Sequence, residues 1–139
     1  MKHNFLIVND LTSFSDYRIA KIDGLKAHTL RGFYEEMAKA LDFPDYFGFN
    51  LDSLDELLND LSWIDEEKIL VFIEKSEHFI EKERNPAKLQ TLLDLLEATC
   101  EDWKWLEEQP DYAKKELKFA FSDSVRIRQV LDNQGVSYI

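Results

Sequence analysis

Nine carboxylates fall between Ala40 and Glu67, with no Lys or Arg among them. They are Asp42, Asp45, Asp52, Asp55, Glu56, Asp60, Asp65, Glu66 and Glu67. Carboxylates at this density can do three kinds of chemistry. Paired across a water-sized gap, they act as general acid and base in hydrolysis. Gathered by a loop, they hold a divalent cation. Held rigid and exposed, they imitate a polyanion and close over a basic site on another macromolecule.

Their spacing separates these uses. Counting about 100° per residue from Asp52 along a helix, Asp55, Glu56, Asn59 and Asp60 fall within roughly 80° of it. Leu51, Leu54, Leu57, Leu58 and Leu61 take the opposite side. The helix therefore buries leucines and shows solvent a surface of one sign. Like charges at i,i+4, such as Asp52 with Glu56, cost a few tenths of a kcal/mol each. An ordinary solvated helix face relieves that repulsion by mixing signs, and this one does not.

The pattern offers no apolar pocket that would split two carboxyl pKa values, as acid–base catalysis requires. It also lacks the loop and Gly of a calcium-binding hand. His3, His28 and His78 have no ligand spacing. No catalytic residue, metal ligand or cofactor is expected. Ahead of the helix, Tyr46, Phe47 and Phe49 surround Gly48, and interface cores favour aromatic side chains. One or two of these rings could instead staple the loop to the helix. Gly48 is expected to supply an unusual backbone conformation.

Other segments must position this stretch. Tyr17, Ile19 and Ile22 lead as a strand into an Asp23-Gly24 turn, and Phe5 to Val8 is a second strand candidate. Thr29 caps a predicted helix over 30–41, whose stripe is Leu30, Phe33, Tyr34, Met37 and Leu41. Asn50 caps the acidic helix, predicted to run from Leu51 to about Leu61, with Asp52 in the dipole-favoured first turn. Ile69 to Ile73 is apolar on both faces, as in a central parallel strand. Leu89, Leu92, Leu93 and Leu96 mark a helix from Pro86 to about Trp103. The polar stretch 101–115 reads as a loop or broken helix around Pro110. Within it, Trp103 and Trp105 straddle Lys104, as one core ring and one part-exposed ring or as a second partner contact. Leu117, Phe119 and Phe121 alternate with Lys118 and Ala120, predicting a strand with one wetter face. Asp123-Ser124 caps a last short helix through Leu131. Strands alternating with helices imply an α/β domain with a small, mainly parallel sheet.

Composition sets the outer bounds. The chain has 139 residues, 45% of them hydrophobic, enough for one domain with a real core. Its net charge of −11 repels phosphate backbones, so nucleic acid is not an expected ligand and a basic protein is. The lone Cys100 excludes an internal disulfide and reads as a small core residue. With no signal-like N-terminus and no apolar run near membrane length, the chain is expected in the cytoplasm, off the membrane and monomeric when free.

The segment Ile22-Asp23-Gly24, a helix, and then Leu41-Asp42-Phe43-Pro44-Asp45-Tyr46-Phe47-Gly48-Phe49-Asn50-Leu51-Asp52-Ser53-Leu54 resembles the barstar family of intracellular ribonuclease inhibitors. Pro44 to Leu54 is its most specific part. The strand at Ile69, the leucine helix and the strand at Leu117 follow in the family's order. The resemblance thus spans roughly 17–122, with short additions at either end of a single domain. It implies a three-stranded parallel sheet flanked by helices. In the family, the second helix and the loop before it plug the active site of a small basic ribonuclease. Carried onto this chain, that role falls to Tyr46, Phe47, Gly48, Asn50, Asp52, Asp55, Glu56, Asn59 and Asp60. Glu56 matches the acidic residue that enters the enzyme's phosphate-binding centre.

Three departures from the family pattern bear on which ribonuclease or related toxin is bound. Glu56 stands where Asp is usual, Asp55 where the prototype has Trp, and Phe49 where a polar or acidic residue is common. The alternative is an acidic adaptor on the same fold, binding a basic protein without blocking an enzyme.

Overall fold

The computed structural model describes residues 3–106 and 114–139. Along the chain run β1 (Phe5–Val8), β2 (Arg18–Asp23), α1 (Leu30–Ala40), α2 (Leu51–Leu58), β3 (Lys68–Glu74), α3 (Pro86–Trp105), β4 (Glu116–Ser122) and α4 (Val125–Asn133). The strands form one parallel sheet in the order β1-β4-β3-β2.

The sheet has four strands, not the three that the family resemblance implied. The fourth is β1, whose Phe5 to Val8 pair in register with Phe119 to Ser122. Its outer edge is closed by the chain's last residues. The Ile7 amide donates to Ile139 O at 3.0 Å and the Ile139 amide to Phe5 O at 3.3 Å. Edge strands left open invite pairing with other chains, and here residues 138 and 139 cover this one.

Adding β1 moves β4 into the interior of the sheet, which overturns the wetter face expected for it. Lys118 is only 6% exposed and Ala120 is buried. The Lys118 ammonium donates to His3 O. At neighbouring levels of the sheet Phe5 packs on Phe119 and Phe121, with ring centroids 6.0 and 6.3 Å apart. The core continues through Phe33 and Met37 of α1, Leu54, Leu57 and Leu58 of α2, and Leu92, Leu93 and Leu96 of α3.

Local signals account for most element ends. Thr29, Asn50 and Ser124 accept from Gly32 N, Ser53 N and Ile127 N and so begin α1, α2 and α4. Asn85 does the same for α3, with Pro86 at its first position. At Gly24 a Cβ would meet Glu74 O at 2.3 Å, so only glycine lets the turn after β2 lie against the end of β3. Helix α3 extends to Trp105, and the proposed interruption at Pro110 lies outside the described residues. Among those residues no helix is long and apolar enough to cross a membrane.

Candidate functional site

Helix α2 is held from below by leucines. Leu54, Leu57 and Leu58 are buried, each contributing about 1.5–3 kcal/mol by leaving water. Asp52, Asp55 and Glu56 are exposed on the opposite side. The helix ends at Leu58, three residues before its expected end. The Asn59 side chain donates to Asp55 O at 2.8 Å and Asp55 Oδ1 at 2.9 Å. Leu61 then turns left-handed, at φ 52°, while its amide still donates to Leu57 O. Such a conformation costs a non-glycine residue about 1–3 kcal/mol. Complete burial of Leu61 offsets it. Asn59 and Asp60 consequently sit in the turn that leaves the helix, exposed beside its last acids.

The loop before α2 is stitched to the helix start. The Ser53 amide donates to Asn50 Oδ1 at 2.8 Å, Asn50 Nδ2 to Gly48 O at 3.1 Å, and the Gly48 amide to Ser53 Oγ at 2.8 Å. Gly48 does not supply the unusual conformation expected of it; its neighbour Phe49 does, at φ 53°. The use of Gly48 is space, since a Cβ there would stand 3.0 Å from Asn50 Nδ2. Phe49 is kept in place by Phe47, with centroids 4.7 Å apart, and by the Arg31 guanidinium 4.2 Å above its ring.

Phe47 is not presented at the surface. At 5% exposure it packs edge-on against Phe43 and Tyr34. Trp63 closes the cluster, edge-on to Phe43 at 6.0 Å, and donates its indole N–H to Leu41 O at 2.8 Å. The staple interpretation therefore holds for Phe47, whose side chain is unavailable to a partner. Tyr46, one residue earlier, is 65% exposed. Beside the loop an open apolar recess of about 400 Å³ runs between Leu30 and Tyr34 of α1, Phe49 to Leu51, and Ala87 of α3.

The nine acids separate into two groups in space. Arg18, at the start of β2, bridges Asp42 at 3.1 Å and Glu66 at 3.4 Å. Lys115 is buried beneath the turn before β3 and donates to the Ile64 and Glu66 carbonyls. Burial pushes its pKa down, against the pull of Asp65, Glu66 and Glu67. Among the described residues Asp45, Asp52, Asp55, Glu56 and Asp60 have no ion pair at all. The structure thus brings Tyr46, Gly48, Asn50, Asp52, Asp55, Glu56, Asn59 and Asp60 to one exposed loop–helix surface and places Phe47 beneath it.

Sequence reasoning overlooked three residues that shape this surface: Ser53, Arg31 and Arg18. The spacing of Asn50 and Ser53 is the N-cap and third-position pairing, so Ser53 was detectable. Arg31 lies on the exposed side of α1, and nothing local connects it with Phe49. Arg18 is 24 and 48 residues from its two partners, beyond any local pattern.

No curated protein is similar enough to the chain to count as a match. A family model described as Barstar (barnase inhibitor) matches residues 17–122, which takes in β2 through β4 and the whole acidic surface. The chain belongs to the barstar family.

Proposed function

We propose that the protein inhibits a small basic ribonuclease, or a related ribonuclease toxin to which it confers immunity, by covering the active site with the loop–α2 surface. The observation that carries this reading is the set of five exposed carboxylates, Asp45, Asp52, Asp55, Glu56 and Asp60, that meet no cation among the described residues on a firmly anchored loop–helix surface. A surface meant only for water gains nothing from excluding countercharges. A surface meant for a cationic cleft gains twice. Its field steers the enzyme into encounter, and its carboxylates then pair with Arg and Lys through charge-assisted hydrogen bonds as water leaves.

In this reading Asp52, Asp55, Glu56 and Asp60 stand where RNA phosphates would bind. Tyr46 and Asn59 supply contacts beside them, and Gly48 and Asn50 fix the loop so that its backbone approaches closely. Phe47 contributes from below by holding Tyr46 and Gly48 in place. Inhibition is competitive exclusion and needs no chemistry by this chain.

The test is RNA cleavage by a panel of small basic ribonucleases, barnase among them, with and without stoichiometric amounts of the protein. Loss of cleavage that rising RNA concentration restores is the expected result for at least one enzyme. Tight binding of an enzyme whose cleavage persists would favour the adaptor interpretation and overturn this one.

A further inference from the structure

The recess beside the acidic surface differs from that surface in charge and in polarity. It lies where three helices begin. Leu30 opens α1, Asn50 and Leu51 open α2, and Ala87 and Lys88 belong to the first turn of α3. Helix starts carry the positive end of the backbone dipole, and two cations add to it here. Lys88 is exposed and has no ion pair among the described residues. Arg31 lies over Phe49, and its carboxylate partner Glu35 is 3.7 Å away and half exposed. At Asn50 the acidic surface therefore meets a border of opposite sign.

Leu30, Phe49 and Leu51 give the recess an apolar lining that is only partly buried. Tyr34 is the most enclosed residue in it, at 6% exposure, and its hydroxyl donates to no group among the described residues. A buried tyrosine hydroxyl usually has a partner. Burial pushes the Tyr34 pKa up, so the phenol keeps its proton and stays a donor. Phe49 and Asn50 belong both to the recess and to the loop before α2. A partner that covers Tyr46 to Asp52 thus lies over the recess as well. Enclosed apolar pockets within an interface receive the partner's anchor side chains and decide which partner fits.

We propose that this recess selects the target ribonuclease, receiving a large apolar side chain at the border of the enzyme's basic cleft, with a neighbouring carboxylate on Lys88. The Tyr34 hydroxyl then donates to an acceptor on the same segment. The assignment rests on the inhibitor function proposed above, and adds to it the chemistry of the partner beyond its basic cleft.

The test uses the full chain and a ribonuclease that it inhibits, with affinity from surface plasmon resonance and folding from urea denaturation. Ala87→Trp and Thr91→Trp, both at exposed positions of α3, each fill the recess. Both should weaken binding by at least about tenfold, chiefly through faster dissociation, with the urea midpoint kept. Lys88→Glu should weaken it by about three- to tenfold, and more at low salt. Replacing the acids that border the enzyme's cleft by Lys, one at a time, should restore the affinity of Lys88→Glu at one position. Unchanged affinity of both Trp variants, with RNA cleavage still blocked, would overturn this assignment and leave the inhibitor reading standing. Rescue at no position would overturn the carboxylate. Failure to bind any enzyme of the panel would overturn both the assignment and the inhibitor reading. Self-association of the free protein that the Trp variants abolish would give the recess to a second copy of the chain and overturn it too.

Discussion

The middle and the ends of the acidic run have the same composition and opposite surroundings. At the ends, Asp42 and Glu66 share Arg18, and the turn 64–67 rests on Lys115. In the middle, from Asp45 to Asp60, no carboxylate meets a cation among the described residues. The fold gathers countercharge from β2 and β4 to the flanks and leaves the loop–α2 surface bare. Charge excess along a sequence and charge excess in space are therefore different quantities. The second is what a partner meets, and here it is narrower than the first.

The sharpest way to break this contrast is to truncate one acid from each part. Glu56→Ala should weaken binding to an inhibited ribonuclease by about 2–5 kcal/mol, chiefly through faster dissociation. That is the general range for removing one partner of a desolvated charge pair. Asp42→Ala should leave dissociation unchanged. Surface plasmon resonance of both variants at two salt concentrations checks the difference. Equal losses would make the run a diffuse charge cloud, and an effect of Glu56→Ala on association alone would place Glu56 at a rim.

Leu57→Ala removes support from beneath the middle. It should lower folding stability by about 2–5 kcal/mol in urea denaturation, since Leu57 is fully enclosed. Asp55→Ala above it should change stability by no more than about 0.5 kcal/mol. If the acid mattered to stability as much as the leucine, α2 would be held by its surface rather than its underside.

Asn50→Ala takes away the cap that joins loop to helix. A loss of about 1 kcal/mol is expected by the same denaturation measurement. The amide signals of Gly48 and Ser53 should shift together, because all three residues share one hydrogen-bond network. Movement of the Ser53 signal alone would show that the loop is held by Phe47 without Asn50.

The smallest effect is expected at the flanks. Arg18→Ala frees two carboxylates whose ion pairs are largely solvent-exposed, so its stability cost should be at most about 1 kcal/mol and should fade in salt. Its influence on binding should be a modest rise in association rate at low salt, as the negative field widens. A large stability loss would mean that Arg18 organises the flanks rather than neutralising them.

Much of this is legible in the sequence. Leucine spacing located α2 and α3, Thr29, Asn50 and Ser124 marked helix starts, and the apolar run at Ile69 to Ile73 gave β3. These are local effects, carried by periodicity and by a side chain reaching its own next turn. The specific stretch Pro44 to Leu54 likewise pointed to the loop–α2 surface, with eight of its nine proposed side chains or backbone positions exposed and Phe47 the exception. What stayed hidden depends on distant chain. Whether β4 lies at an edge or inside the sheet depends on β1, more than a hundred residues away in sequence. Left-handed Phe49 and Leu61 are set by ring stacking and burial that no residue preference announces.

Residue order alone thus specified which face of α2 is acidic, because that follows from helical periodicity and covalent neighbours. Which acids remain unpaired was settled only in three dimensions. Ion pairing depends on distances through space, and Arg18 and Lys115 reach the run only after the parallel sheet has set β2 and β4 on either side of β3.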